Sequence, residues 1–156
     1  MLHRDEAIDY ALLRLGSPVF RDGGAIPQKY TCDGADVSPP LDITGIPEEA
    51  VCLALILDDP DAPRGTWLHW LAWNIPLTRH LKEGHVHGVS GTNDFGHVRY
   101  NGPCPPSGIH HYRFKIYALD RLLDLPAGSR LPELQEAMAG HILAFGEMTG
   151  TSHGAR

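Results

Sequence analysis

Val51-Cys52-Leu53-Ala54-Leu55-Ile56-Leu57, followed at once by Asp58-Asp59-Pro60-Asp61-Ala62-Pro63, is the stretch that decides the fold. A continuous apolar run that stops at a turn rich in carboxylates and prolines reads as a β-strand buried on both faces. The next segment, Trp67-Leu68-His69-Trp70-Leu71-Ala72-Trp73-Asn74-Ile75, is also strand-like and ends at Pro76. Alternation of side chains across a strand puts His69 on one face with Trp67, Leu71 and Trp73. A third strand runs from His111 to Leu119, with Tyr112, Phe114 and Ile116 alternating with Arg113 and Lys115. By the same parity His110 lies on the side of Tyr112.

Composition agrees with a β-rich chain. Among 156 residues there are 17 Gly and 13 Pro. Gly costs about 1 kcal/mol and Pro about 3 kcal/mol in helix interiors, which excludes a helical bundle. A hydrophobic fraction of 42% excludes disorder. The net charge of −6 excludes a general nucleic-acid binder, which would show a basic face. The length suits one domain with one core.

Residues 21–48 are dense in turn formers and predict loops with short strands at most. Residues 3–15 read either as a short helix, with Ala7, Ile8, Ala11, Leu12 and Leu15 on one stripe, or, from Leu13, as a strand ending near Phe20. One helix is expected late in the chain, with Ser129 as N-cap and Pro132, Glu133 and Glu136 in its first turns. Its apolar stripe would run through Leu134, Ala137, Met138, His141, Ile142 and Phe145. Residues 1–12 are set apart as an N-terminal extension, and 13–156 as a single domain.

The N-terminus carries Asp5, Glu6 and Asp9, and nowhere are about 18 apolar residues consecutive. A cytoplasmic protein without a transmembrane segment is therefore expected. Cys32, Cys52 and Cys104 are odd in number and far apart, without a C-x-x-C pair, so free thiols are expected.

Two constellations could carry chemistry. In the turn at 58–63, three carboxylates at the end of a buried strand need ligands or hydrogen bonds. The prolines could include a cis bond that aims one carboxylate inward; His69 follows the turn, and an Asp accepting from a His ring N–H would fix the tautomer of that ring and raise its pKa. The second is Arg99-Tyr100-Asn101-Gly102-Pro103-Cys104-Pro105-Pro106-Ser107-Gly108-Ile109-His110-His111-Tyr112. Its prolines stiffen a loop whose glycines let a ligand approach the backbone. His85, His87 and His97 sit among glycines and read as solvated loop histidines rather than metal ligands.

In combination these motifs resemble the phosphatidylethanolamine-binding protein family, in its bacterial and archaeal Raf-kinase-inhibitor-like branch. The resemblance runs from about Leu13 to Thr151. It rests on Tyr30-Thr31-Cys32-Asp33-Gly34 with Ser38-Pro39-Pro40-Leu41, on Asp59-Pro60-Asp61-Ala62-Pro63 and His69-Trp70, and on Asn93-Asp94-Phe95-Gly96. It continues through Tyr100, Gly102-Pro103-Cys104-Pro105-Pro106, Gly108, His110, Tyr112 and Tyr117-Ala118-Leu119-Asp120. The resemblance implies a β-sandwich of two antiparallel sheets with a few peripheral helices. It also implies a small pocket near a cis-proline turn that binds phosphate-type anions or phosphoryl head groups. Ligand-binding residues would be Asp59, Asp61, Pro63, His69, Gly102, Pro103, Pro105, Pro106, His110 and Tyr112. His111 stands where the family commonly has Arg, which removes a permanent positive charge near the pocket.

The expected function is a non-enzymatic binding or regulatory protein for a small anionic or phosphorylated ligand, with no cofactor and no metal. The alternatives are an Asp/His-dependent hydrolase of a small phosphoester and a peptidase inhibitor. A kinase or peptidase partner is not identified by any residue, and a homodimer is compatible with the tryptophan-rich strand and the resemblance.

Overall fold

The computed structural model describes residues 11–154. Its strands are β1 (Ala11–Leu12), β2 (Arg14–Gly16), β3 (Leu41–Thr44), β4 (Cys52–Asp59), β5 (Trp67–Ile75), β6 (His80–Leu81), β7 (Val89–Ser90), β8 (Gly108–Leu119) and β9 (Ile142–Gly154). A 3-10 turn at Gln28–Tyr30 and one α-helix, α1 (Leu131–Met138), complete the described elements.

The apolar run becomes β4, and all eight of its residues are buried. It owes this to its place inside a six-stranded sheet ordered β1-β9-β8-β4-β5-β7. On one face Leu53, Leu55 and Leu57 pack with Tyr112, Phe114 and Ile116 against Leu41, Ile43 and Leu81 of the three-stranded sheet β2-β3-β6. On the other face Cys52, Ala54 and Ile56 join Leu71 and Trp73 beneath Leu134 and Met138 of α1. The result is the expected mainly β sandwich. All pairs are antiparallel except β1 with β9, which is parallel and takes Ala11 and Leu12 into the large sheet. The helical alternative for residues 3–15 falls largely outside the described residues; Arg14–Gly16 is a strand.

Three expectations are corrected. The late helix stops at Met138, and Ile142 and Phe145 belong to β9. Gly140, at φ +81°, turns the chain there. The sequence of β9 shows no strand alternation because its inward positions include Gly146 and Gly150, which carry no side chain to mark it. Those glycines are needed: a Cβ on Gly150 would meet Ile26 Cγ1 at 2.5 Å and Phe20 Cε2 at 2.8 Å. The N-cap is Arg130 rather than Ser129, with the Arg130 N–H donating to Glu133 Oε1 at 2.8 Å.

The second correction is that no peptide bond among the described residues is cis, so the turn at Pro60 and Pro63 is built entirely from trans bonds. The third concerns the cysteines. Cys32 and Cys104 form a disulfide with Cα atoms 5.4 Å apart, and only Cys52 is free. Separation along the chain misled here, because tertiary contacts bring the two loops together. The Cys32 N–H donates to Pro103 O at 3.0 Å, Tyr100 Oη to Tyr30 O at 2.7 Å, and the Gly102 N–H to Asp36 Oδ1 at 2.8 Å.

Candidate functional site

The acidic turn sends its carboxylates in different directions. Asp58 is buried on the face of β4 away from the sandwich interior and accepts from Arg113 Nε at 2.8 Å and Lys115 Nζ at 3.0 Å. Asp59, one residue later, faces the sandwich interior, where its Oδ2 accepts from His110 Nδ1 at 2.7 Å. Its other oxygen accepts the Asp61 N–H at 2.8 Å. Asp61 turns back to the surface and accepts from the backbone N–H of His111 at 2.8 Å and its Nδ1 at 2.7 Å. Those contacts hold the Asp61 carboxyl below its ordinary range. The turn is thus a pair of Asp–His contacts, one buried and one exposed, separated by a single residue of parity.

His69 reaches the same interior by a different device. In β5, Asp59 pairs with Trp67 and Asp58 with Leu68, but Leu57 pairs with Trp70. His69 is therefore an extra residue, a β-bulge that puts it on the same face as both Trp67 and Trp70. This corrects the plain alternation expected for the strand: Leu71 and Trp73 belong to the opposite face, beneath α1. The bulge turns the His69 ring edge-on to Tyr112, with centroids 5.3 Å apart, and edge-on to Phe95 at 5.0 Å. Its Nδ1–H donates to Asn101 O at 2.7 Å.

These groups line a cavity of about 290 Å³. Its walls are Asp59, His69, His110 and Tyr112 at the polar end, with Ala62, Pro63, Arg64, Trp67, Phe95, Cys104, Pro105 and Pro106 around them. His69, Asp59 and His110 are 3%, 4% and 8% exposed. Burial holds the His69 imidazole below its ordinary pKa, against the opposing pull of the Asn101 carbonyl and the Asp59 charge. Burial, and after it the Asp59 charge, pushes the Tyr112 phenol well above its ordinary value, so its hydroxyl stays protonated.

Each imidazole spends Nδ1 on a protein acceptor, which leaves Nε2 as the nitrogen that can meet a ligand. A neutral ring offers a lone pair there, and a protonated ring offers an N–H. Asp59 is satisfied by a His ring and a backbone N–H, so its charge is largely spent inside the protein.

Of the ligand-binding residues expected from the sequence, Asp59, Pro63, His69, Pro105, Pro106 and His110 line the cavity together with Tyr112. Asp61, Gly102 and Pro103 do not. Asp61 serves through its backbone N–H on Asp59. Gly102 is glycine for a different reason: a Cβ there would stand 2.1 Å from Tyr30 O. His111 points outward, as parity predicts, and the permanent cation on the wall is Arg64. Cys104 joins the wall from the expected Gly102–Pro106 loop, while Ala62, Arg64, Trp67 and Phe95 line it in addition to the expected residues. Trp67 lies on the His69 face, but no periodicity points from it to Phe95 across a shared cavity.

Among the described residues no group of three His, Cys, Asp or Glu side chains converges to hold a metal. The His85 and His87 rings stack with centroids 6.5 Å apart, His87 Nε2 donates to Lys82 O, and His97 Nδ1 donates to Asn101 Oδ1. No described helix is long and apolar enough to cross a membrane.

A family model described as phosphatidylethanolamine-binding protein matches residues 16–153. A UPF0098 protein of Pyrococcus abyssi is 52% identical over 145 residues, covering 86% of this chain and 82% of the relative. A UPF0098 protein of Methanothermobacter thermautotrophicus is 47% identical, covering 88% of this chain and 97% of its own length. The crystal structure of a putative phosphatidylethanolamine-binding protein homolog, CT736 of Chlamydia trachomatis, superposes with a TM-score of 0.88 at 41% identity. It covers 91% of this chain and 97% of CT736. YbcL of E. coli, described as a member of the mammalian PEBP family, superposes with a TM-score of 0.83 at 28% identity, covering 92% of this chain and 99% of YbcL.

Proposed function

The chain belongs to the phosphatidylethanolamine-binding protein family, and we propose that within it this protein is a non-enzymatic binder of small phosphate-type anions or phosphoryl head groups at the Asp59–His69–His110 cavity. The single observation that carries this reading is the pair of buried imidazoles on one cavity. Each is locked through Nδ1, and each keeps Nε2 for an oxygen of the ligand. Arg64 adds a fixed positive charge on the wall, and the prolines and aromatics around it keep the cavity low in dielectric, which strengthens each polar contact.

The protonation logic gives the site a preferred form of ligand. A neutral His69 meets a fully deprotonated oxyanion lone pair to lone pair, whereas a proton on Nε2 or on the facing oxygen makes a hydrogen bond. Affinity therefore rises as pH falls, and the lowered pKa of the ligand-free His69 sets the acid end of its part in that rise.

The hydrolase alternative needs a nucleophile beside the Asp59–His110 pair. The cysteine on the cavity wall, Cys104, has its sulfur engaged with Cys32, which weighs against a thiolate mechanism. A cytoplasmic location fits the disulfide only in a cell whose cytosol preserves such bridges.

The test is titration with inorganic phosphate and with O-phosphorylethanolamine, followed by calorimetry, on wild type, His69→Ala and His110→Ala. We expect salt-sensitive binding that both substitutions abolish. Equal binding by all three proteins would overturn the assignment.

A further inference from the structure

The segment from Gly91 to Asn101 has no strand in it, yet it closes the outer edge of β5 where β7 does not reach. Gly91 donates its N–H to Leu71 O at 3.0 Å, and the Asn101 N–H and Asn93 Nδ2 both donate to His69 O, at 3.2 and 3.0 Å. At Leu68 the contact is reciprocal. The Leu68 N–H donates to Asp94 Oδ2 at 2.7 Å, and the Asp94 N–H donates to Leu68 O at 3.0 Å. The pair reproduces what a neighbouring strand would supply, with one difference: a side-chain carboxylate stands where a backbone carbonyl would be.

That difference matters at a bulge. An extra residue shifts the outward-pointing groups of β5 out of the even spacing to which a regular strand could pair. Leu68 and His69 both turn backbone groups toward the same edge, at consecutive residues. A carboxylate on a two-bond arm can meet the first while Asn93 and the Asn101 backbone meet the second. We propose that Asp94 is a positioning residue for the pocket: by clamping Leu68 on the side of the bulge away from β4, it fixes the turn that presents the His69 ring to the cavity.

Asn93 completes the arrangement from below. It is fully buried, and its Nδ2 also donates to Asn101 Oδ1 at 2.8 Å, while the Asn101 carbonyl holds His69 Nδ1. The backbone and the ring of His69 are thus gripped by one segment. Asp94 is its exposed end, reached by solvent but not part of the cavity wall.

The inference rests on the phosphate-site reading only for its binding readout, so the experiment has two arms. The first needs no ligand: ¹³C-histidine-labelled protein is examined by NMR, and the His69 ring resonance is compared in wild type, Asp94→Asn, Asp94→Ala and Asp94→Glu. Asp94→Asn keeps an acceptor oxygen at the same reach and should leave His69 unmoved. Asp94→Ala, and Asp94→Glu with its oxygens one methylene too far, should shift it while His110 stays in place. The second arm is phosphate affinity, expected to fall about tenfold in Asp94→Ala and to be retained in Asp94→Asn, a difference of about 1.4 kcal/mol. An unmoved His69 resonance in Asp94→Glu and Asp94→Ala overturns the proposal, and Asp94→Glu alone suffices if the alanine variant does not fold. Absence of phosphate binding by wild type defeats the function assigned to the cavity but leaves the first arm standing.

Discussion

The disulfide between Cys32 and Cys104 offers the sharpest quantitative test of the structure. The two cysteines are 72 residues apart in sequence. Closing a loop of that length removes conformational entropy from the unfolded chain worth about 4.4 kcal/mol at 25 °C in the chain-entropy model. With a urea m-value of about 2 kcal/mol/M for a protein of this size, loss of the bridge should lower the unfolding midpoint by about 2 M. The variant to use is the double Cys32→Ser/Cys104→Ser, since a single substitution leaves one cysteine without its disulfide partner. Urea unfolding followed by tryptophan fluorescence, on wild type with and without a phosphine reductant and on the double variant, reads the effect directly. Reduced wild type and the variant should coincide. A midpoint moved by less than about 0.5 M in both would refute the argument. So would titration of three free thiols in unreduced, denatured wild type, because the bridge would then not exist.

Other outcomes follow from the same geometry. Gly102→Ala should cost about 1–3 kcal/mol by driving a Cβ into Tyr30 O, while Gly16→Ala, with open space around it, should stay within about 0.5 kcal/mol; equal urea midpoints for the two would contradict the packing of the loops. Asp59→Ala leaves the His110 Nδ1–H and the Asp61 N–H without their buried acceptor and should destabilise by about 1–3 kcal/mol, checked by the same unfolding assay. The lowered pKa of His69 means that the unfolded chain takes up its proton first as pH falls. The stability this contributes is complete above about pH 6.5 and is lost as pH falls toward the folded value. Thermal melts of wild type and His69→Gln between pH 8 and 5 should therefore converge on acidification, and parallel pH dependences would disprove it.

The sandwich was legible because its central strands carry their own evidence. Six consecutive apolar residues in β4, Cys52 to Leu57, can be buried on both sides only in the middle of a sheet, and the alternation of Tyr112, Phe114 and Ile116 predicts the face that β8 turns inward. His110 followed from the same parity. What could not be read were features in which one residue breaks a pattern. The bulge at His69 leaves no mark in a run that is apolar on both sides of it. The inward glycines of β9 have no side chains to count. The disulfide depends on two loops being adjacent, and that adjacency is set by Tyr100, Gly102 and Asp36 rather than by the spacing of the cysteines. The cavity wall was half legible for a related reason: Asp59, His69 and His110 announce themselves chemically, whereas Trp67 and Phe95 carry no such mark and meet only because the 91–101 segment packs along the edge of β5.

The bulge also bears on how such a site could arise. Remove the single codon for residue 69, and Leu68 and Trp70 fall into plain alternation, with Trp67, Leu71 and every inward leucine of β4 still facing as they do now. The pocket histidine is thus an extra residue in a sheet whose apolar faces keep their sides without it. A lineage could gain or lose this half of the site in one step, leaving the hydrophobic architecture beneath it unaltered.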